Sequence, residues 1–185
     1  PFALHLRREG LAPALFGYDS IVGGAETGAE RLVAHLRRTP TAWLVGHSLG
    51  GLVILEALRR APDLPVERVV CLGSPLNGSG VAAALGARPG LAWALGRSRD
   101  LLVRGCAPWD GRAEVGVVAG GHARGVGGLF TRLDGPSDGT VAVSETRLPG
   151  IADHCIVPAS HTGLVLSAEA ARRAARFLRH GRFAD

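Results

Sequence analysis

A single serine stands among glycines in the stretch Gly46-His47-Ser48-Leu49-Gly50, where an apolar run meets an apolar helical pattern. A serine in a sharp strand-to-helix turn exposes its hydroxyl at the carboxyl end of a sheet, where the oxygen can act as a nucleophile. Such a turn also favours small residues two positions before and two positions after the serine, so that strand and helix can approach each other. We therefore predict that Ser48 is a nucleophile rather than an incidental serine in a glycine-rich turn.

A serine hydroxyl is a weak nucleophile, so it needs a neighbouring base that a carboxylate orients. With a turn of this kind, the acid and then the histidine follow the serine along the chain, on loops after strands. His161, in PASHTGLVLS, lies just after the last predicted strand and fits that position best. His154 lies within that strand and is the alternative base. The other histidines fit less well: His122 precedes the acidic candidates, His47 is tied into the turn, and His5, His35 and His180 fall on predicted helices.

The predicted acid is Asp138, in PSDGTVAV, which lies on a loop after the fourth predicted strand and ahead of His161. Asp134 in the same loop and Asp153 beside the last strand are the alternatives. The Asp-Gly pair that contains Asp138 is also a common turn sequence, so an Asx turn would explain this residue without any catalytic role.

Strand-like and helix-like segments alternate along the chain, which predicts an α/β fold with a mostly parallel sheet covered by helices on both faces. After an opening helix, the predicted strands are 12–18, 42–46, 67–73, 113–121 and 151–159. The longer predicted helices are 25–38, 49–60 and 167–180. Residues 81–112 contain shorter apolar helical pieces around Trp93, which fit a lid over a pocket as well as they fit ordinary crossover helices.

Composition excludes several other classes of protein. The chain has 185 residues, of which 46% are hydrophobic and 20% charged, as expected of one globular domain. No apolar run reaches the ~18–20 residues that span a bilayer. Its basic residues are all arginine, scattered mostly over predicted helices without interleaved aromatic residues, so no nucleic-acid partner is expected. The three cysteines, Cys71, Cys106 and Cys155, are an odd number, which excludes a full disulfide framework, and they have no CxxC spacing, so a zinc site is not expected.

With these residues, the chain resembles the α/β-hydrolase superfamily, in particular its small lipase and esterase branch. The first matching motif is GHSLGG, at the sharp strand-to-helix turn around Ser48 that is called the nucleophile elbow. The others are DGTVAV around Asp138, SHTGLV around His161, and LGSPLNGS, which is similar to the GTPHxGS type of segment. The resemblance implies hydrolysis of a carboxylic ester through an acyl-enzyme, without a metal or an organic cofactor. It implies that Ser48 attacks, that His161 carries the proton, that Asp138 holds the imidazole, and that the Leu49 amide is one oxyanion donor.

Two other functions stay open. An acyltransferase or thioesterase has the same set of residues, and a catalytically silent interaction domain has the same fold. The chain also departs from the family, because the strand ending in HG that normally precedes the first helix is not in this sequence. Since Pro1 already lies in a helix-like stretch, we expect the natural N-terminus to lie upstream, which leaves the cellular compartment open. We expect the chain as written to lack the second oxyanion donor and to be poorly soluble and nearly inactive, unless the LGSPLNGSG loop supplies a donor.

Overall fold

Four parallel strands form one sheet in the computed structural model, which describes residues 1–19, 23–88, 92–123 and 135–184. The strands lie across the sheet in chain order: β1 (Trp43–His47), β2 (Arg68–Leu72), β3 (Glu114–Gly120) and β4 (Asp153–Val157). All of them run in the same direction. Their carboxyl ends therefore meet at one edge of the sheet, which is where ligands bind in open α/β folds.

Helices connect the strands and cover both faces of the sheet. In the described ranges the α-helices are α1 (Phe2–Arg8), α2 (Gly24–Arg38), α3 (Leu49–Arg60), α4 (Gly80–Gly86), α5 (Arg99–Arg104), α6 (His161–Leu164) and α7 (Ala168–His180). Short 3-10 helices lie at Ala92–Ser98 and Val143–Thr146. The predicted α/β fold with a parallel sheet is confirmed, and the predicted helices 25–38, 49–60 and 167–180 agree with α2, α3 and α7 to within one residue.

Alternating side chains of the strands supply two hydrophobic cores, one on each face of the sheet. Val69 and Cys71 of β2 pack with the buried residues of α2 and α3, whereas Val70 and Leu72 pack with those of α7 and with Leu6 of α1. Because both faces are covered at the centre of the sheet, β2 and β3 read as nearly continuous apolar runs rather than as alternating ones, as is usual for parallel sheets.

The strand predicted at residues 12–18 is wrong. This segment has no regular secondary structure, and none of the four strands of the sheet pairs with it. Leu15 is 88% exposed, while Phe16 and Tyr18 pack beside the core of α2 and α3, with the Phe16 ring 5.3 Å from the ring of His35. A strand requires a hydrogen-bonded neighbour, and an apolar pattern does not by itself provide one.

Residues 81–112 divide into an embedded part and an exposed part. On α5, Leu101 is buried and Leu102 packs against the core, as crossover helices do. Trp93, in contrast, is 71% exposed. A lid role for this region stays a prediction.

In the described ranges, no helix combines the length and the hydrophobicity that crossing a bilayer requires.

Candidate active site

Ser48 occupies the turn between β1 and α3 with φ 54° and ψ −123°. Among the described residues it is the only one other than glycine with a positive φ. Its backbone N–H donates to the Leu72 carbonyl at 2.9 Å, which fastens the turn to the end of β2. Residues held in such sparsely populated conformations cost about 1–3 kcal/mol and persist where the surroundings enforce them, often at functional sites.

The two glycines that flank Ser48 in the motif differ in how tightly they are packed. A Cβ at Gly46 would lie 2.6 Å from the Gly50 carbonyl carbon, so β1 and α3 touch there through backbone alone. A Cβ at Gly50 would have no described atom within 4 Å, which corrects the expectation that both positions must be small for strand and helix to approach. The glycine of α3 that does pack tightly is Gly51, whose Cβ position lies against Ser74.

The side chains of Ser48, Asp138 and His161 form one hydrogen-bonded chain. Asp138 Oδ2 lies 2.7 Å from His161 Nδ1, and His161 Nε2 lies 3.0 Å from Ser48 Oγ. A carboxylate can only accept, so the ring proton resides on Nδ1 and Nε2 is left to accept from the serine hydroxyl. This tautomer is the one that a general base acting on Ser48 requires.

Asp138 is buried, and its two oxygens have separate partners. Oδ1 accepts from the backbone N–H groups of Thr140 at 2.9 Å and Val141 at 2.7 Å, which is the local turn that the Asp-Gly pair indicated. Oδ2 contacts the ring of His161. The turn and the contact with histidine are therefore compatible, because the turn fixes the carboxylate in the orientation that points Oδ2 at the imidazole.

His161 is the first residue of α6, after the carboxyl end of β4. The Ser160 hydroxyl accepts from the Gly163 N–H at 3.2 Å and caps this short helix. The His161 backbone N–H donates to the Asp138 carbonyl at 2.9 Å, so main chain and side chain of His161 both contact Asp138. The side chain keeps 14% of its surface exposed, on the edge of the sheet where Ser48 lies.

The alternative candidates have other partners. His154 Nε2 lies 2.8 Å from Thr146 Oγ1, and burial, followed by the nearby charge of Arg147, lowers the pKa of His154 to about 4. Asp153 accepts from the backbone N–H groups of His154 and Phe183.

In the part of the chain that the structure describes, the other candidates have no arrangement that suits a catalytic base or acid. His122 is exposed, and Asp134 lies outside the described residues. Of the remaining histidines, His5 lies on α1, His35 on α2 beside Phe16, and His180 is exposed at the end of α7.

The cysteines do not offer a second nucleophile. Burial raises the pKa of the Cys106 thiol to about 11 and that of Cys155 to about 12, and it raises the pKa of the fully buried Cys71 further. All three are therefore neutral thiols near pH 7, and the thiolate is the reactive form. In the parts of the chain that the structure describes, no group of three or more His, Cys, Asp or Glu side chains is arranged to hold a metal ion.

The backbone N–H of Leu49, the predicted oxyanion donor, lies at the start of α3, and the loop after β2 has few other uncommitted N–H groups. Leu49 is the first residue of α3, and the first N–H groups of a helix have no intrahelical partner. In the LGSPLNGSG segment most backbone N–H groups already donate within the protein. They belong to Gly73, Leu76, Asn77, Gly78, Ser79 and Gly80. These N–H groups are therefore already engaged, mostly by residues outside the segment, and are not free to bind a ligand oxygen.

Two residues of the site were not predicted from sequence. Gly73, at the end of β2, has φ 53°, and a Cβ there would lie 3.1 Å from Asp138 Oδ2 and 3.3 Å from His161 Nδ1. His47 contacts the His161 main chain through its ring, although the two are 114 residues apart. The glycine in LGSP, directly after a predicted strand, could have indicated a tight backbone approach at Gly73. Nothing in the sequence connects His47 with His161.

Comparison with known proteins identifies the family. A family model described as alpha/beta hydrolase matches residues 17–108, about half of the chain. Together with the sheet and its helices, this match shows that the chain belongs to the α/β-hydrolase superfamily. No curated protein sequence matches the chain significantly.

Solved structures share the fold at low sequence identity. The Bacillus licheniformis lipase BlEst2 in its mature form is 23% identical with a TM-score of 0.74, and the match covers 89% of this chain and 78% of the lipase. The metagenomic carboxyl esterase MGS0156 is 21% identical with a TM-score of 0.70, over 96% of this chain and 68% of the esterase. The pyrethroid hydrolase PytH is 19% identical with a TM-score of 0.59, over 97% and 91% of the two chains. At these identities the likeness concerns the fold.

Proposed function

We propose that this protein is a serine hydrolase that cleaves carboxylic esters through an acyl-enzyme intermediate. The observation that carries the proposal is the contact chain from Asp138 Oδ2 to His161 Nδ1 at 2.7 Å and from His161 Nε2 to Ser48 Oγ at 3.0 Å. Membership of the α/β-hydrolase superfamily supports hydrolysis, and the similar folds of a lipase and a carboxyl esterase support an ester as the substrate.

In the first half-reaction, Ser48 Oγ attacks the ester carbonyl carbon while its proton passes to His161 Nε2. Asp138 stabilises the imidazolium that forms and keeps the ring in place. The negative oxygen of the tetrahedral intermediate accepts from the Leu49 N–H at the positive end of α3. The intermediate then collapses, the bond to the alkoxide breaks, and His161 returns the proton to the departing alcohol.

In the second half-reaction, water attacks the acyl group on Ser48. His161 takes a proton from the water, and a second tetrahedral intermediate forms at the same carbonyl carbon. Its collapse breaks the bond to Ser48 Oγ, which recovers the proton from His161, and the carboxylic acid leaves. Each proton moves between oxygen and His161 Nε2, so the two half-reactions need no other acid or base.

Labelling with a fluorophosphonate tests this proposal, because such probes react only with activated serines. We expect the full-length protein to acquire one adduct, located on Ser48 by peptide mass spectrometry, and to hydrolyse a short p-nitrophenyl ester, whereas the 185-residue chain should turn the ester over far more slowly. Ser48→Ala should abolish both signals, with the loss of turnover exceeding about 10³-fold. Ser144→Ala, at an exposed serine of the 3-10 helix Val143–Thr146, should leave both unchanged.

Each other outcome has a defined meaning. If the protein forms no adduct, the catalytic role of Ser48 is wrong and a silent interaction domain is favoured. An adduct on Ser48 without release of carboxylic acid, but with transfer of the acyl group to an added alcohol, would replace hydrolysis by acyl transfer.

A further inference from the structure

We infer that His47 is a positioning residue for His161 and holds the main chain of that histidine above the elbow. His47 Nε2 lies 2.9 Å from the carbonyl oxygen of His161, and the centroids of the two rings are 4.7 Å apart. The inference rests on the proposed function, since it assigns His47 a role in the chemistry of His161. It assigns no contact between His47 and the substrate.

The chemistry of the contact fixes which partner donates. A backbone carbonyl only accepts, so His47 Nε2 must carry a proton and donate it. Burial, followed by the proximity of His161, lowers the pKa of His47, which favours the neutral ring. A neutral donor is suited to this position, because a second positive charge beside His161 would oppose the imidazolium that forms during catalysis.

The topology explains why His161 needs support from the β1 side. In the sheet order, β1 and β4 are separated by β2 and β3, which places them about 14 Å apart at ~4.8 Å per strand. The segment after β4 must therefore come back across the end of the sheet to reach Ser48. It passes over Gly73, the residue directly after β2, where a Cβ would approach His161 Nδ1 to 3.3 Å.

His161 is consequently held from two directions. Its backbone N–H donates to the Asp138 carbonyl at 2.9 Å, on the side of the loop that follows β3. Its carbonyl accepts from His47, which ends β1 directly before Ser48. Because His47 and Ser48 are adjacent, this hydrogen bond couples the position of the base to the position of the nucleophile. Without it, the His161 main chain keeps its place in α6 and its hydrogen bond to Asp138 but loses its attachment to β1, so we expect the ring to tilt away from Ser48.

A pair of substitutions at His47 separates positioning from packing. His47→Gln keeps an N–H at nearly the place of Nε2, whereas His47→Leu fills a similar volume without a donor. We expect His47→Leu to lower kcat about 10–100-fold with KM within about twofold, because misplacing a catalytic group by ~1 Å can cost ~10² in rate. His47→Gln should recover kcat to within about fivefold of the parent protein.

Two further measurements make the test decisive. The rate of fluorophosphonate inactivation should follow kcat across the variants, since it reports the activation of Ser48 without ester binding, and the Tm of each variant gives its stability. Unchanged kcat and inactivation rate in His47→Leu overturn the inference. Equal losses of activity in Leu and Gln variants that also lose the same Tm assign His47 a purely structural role and overturn it as well. Failure of the proposed function is distinguishable, because the parent protein itself would then form no adduct.

Discussion

A histidine contacts a hydroxyl near each end of β4, and only one of these two pairs has the hydrogen-bond arrangement that the proposed function requires. At the carboxyl end His161 Nε2 lies 3.0 Å from Ser48 Oγ, and at the amino end His154 Nε2 lies 2.8 Å from Thr146 Oγ1. Each histidine also has an aspartate nearby. The distances alone therefore do not distinguish the two pairs.

The direction of the hydrogen bonds does distinguish them. Thr146 Oγ1 donates its proton to the Val143 carbonyl, so His154 must donate to that oxygen and cannot act as its base. The Asp153 carboxylate accepts from two backbone N–H groups instead of a ring nitrogen. At the other end, Asp138 Oδ2 accepts a hydrogen bond from the Nδ1–H of His161, which leaves Nε2 free to accept. A carboxylate on the far ring nitrogen, rather than closeness to a hydroxyl, is what makes a histidine a candidate base.

The largest expected effect comes from exchanging that carboxylate. Asp138→Asn presents an N–H to the imidazole and favours the opposite tautomer, so we expect kcat to fall about 10³–10⁴-fold. Asp153→Asn should leave kcat within twofold while lowering the Tm, because its oxygens hold only the backbone of His154 and Phe183. Steady-state hydrolysis of a p-nitrophenyl ester, with a melting curve for each variant, measures both effects. Comparable losses of kcat in the two variants would contradict the distinction.

A smaller effect is expected at Gly73, which lies beneath the contact between Asp138 and His161. Gly73→Ala adds a methyl group beside Asp138 Oδ2, His161 Nδ1 and Leu164, so we expect kcat to fall about 10²-fold. Gly10→Ala is the matched control, since Gly10 also has a positive φ, of 76°, but a Cβ there comes no closer than 3.6 Å to any described atom. Both variants should lose some stability to backbone strain. If Gly10→Ala loses as much kcat as Gly73→Ala, strain rather than the close approach is responsible.

The smallest expected effect is on the pH dependence of the free energy of unfolding, and it comes from His154 near the amino end of β4. The pKa of His154 is lowered to about 4 in the fold, against about 6.5 in an unfolded chain. The unfolded chain therefore binds more protons between these values, and the free energy of unfolding decreases as the pH falls from about 6.5 towards 4. Because His154 is only partly buried, we expect its share to be about 1 kcal/mol.

His154→Gln should remove that share of the pH dependence, while the similarly directed shift of His47 remains. Urea unfolding at pH 7.5 and pH 5 measures the difference, and kcat at pH 7.5 should stay within twofold of the parent protein. An identical loss of stability between the two pH values with and without His154 would show that other groups account for the slope.

Sequence reasoning succeeded where the signal was local and periodic. The predicted strand 42–46 is β1 shifted by one residue, and the predicted helix 49–60 has the bounds of α3, because glycines and a proline mark their ends. Two predictions were wrong because they inferred contacts between distant parts of the chain from a local sequence pattern. Residues 12–18 have a strand-like composition without a paired strand, and Gly50 occupies a motif position whose Cβ faces open space.

The contacts around His161 could be predicted only in part. Chain order favoured His161 over His154, but it could not show which histidine has a carboxylate on its ring. The contact between His47 and the His161 carbonyl depends on how the segment after β4 crosses the ends of β3 and β2 to reach β1, and no spacing along the sequence encodes that path.

On the proposed function, the backbone conformation of Ser48 lowers the stability of the fold at the residue that the reaction requires. Glycine adopts φ near 54° without the steric cost that a Cβ brings, so a sequence selected for stability alone would carry glycine at this position. Such a protein would keep the elbow and its contact with Leu72 but lose its hydroxyl. Serine at position 48 is thus a departure from the most stable sequence, which is expected where selection acts on reactivity.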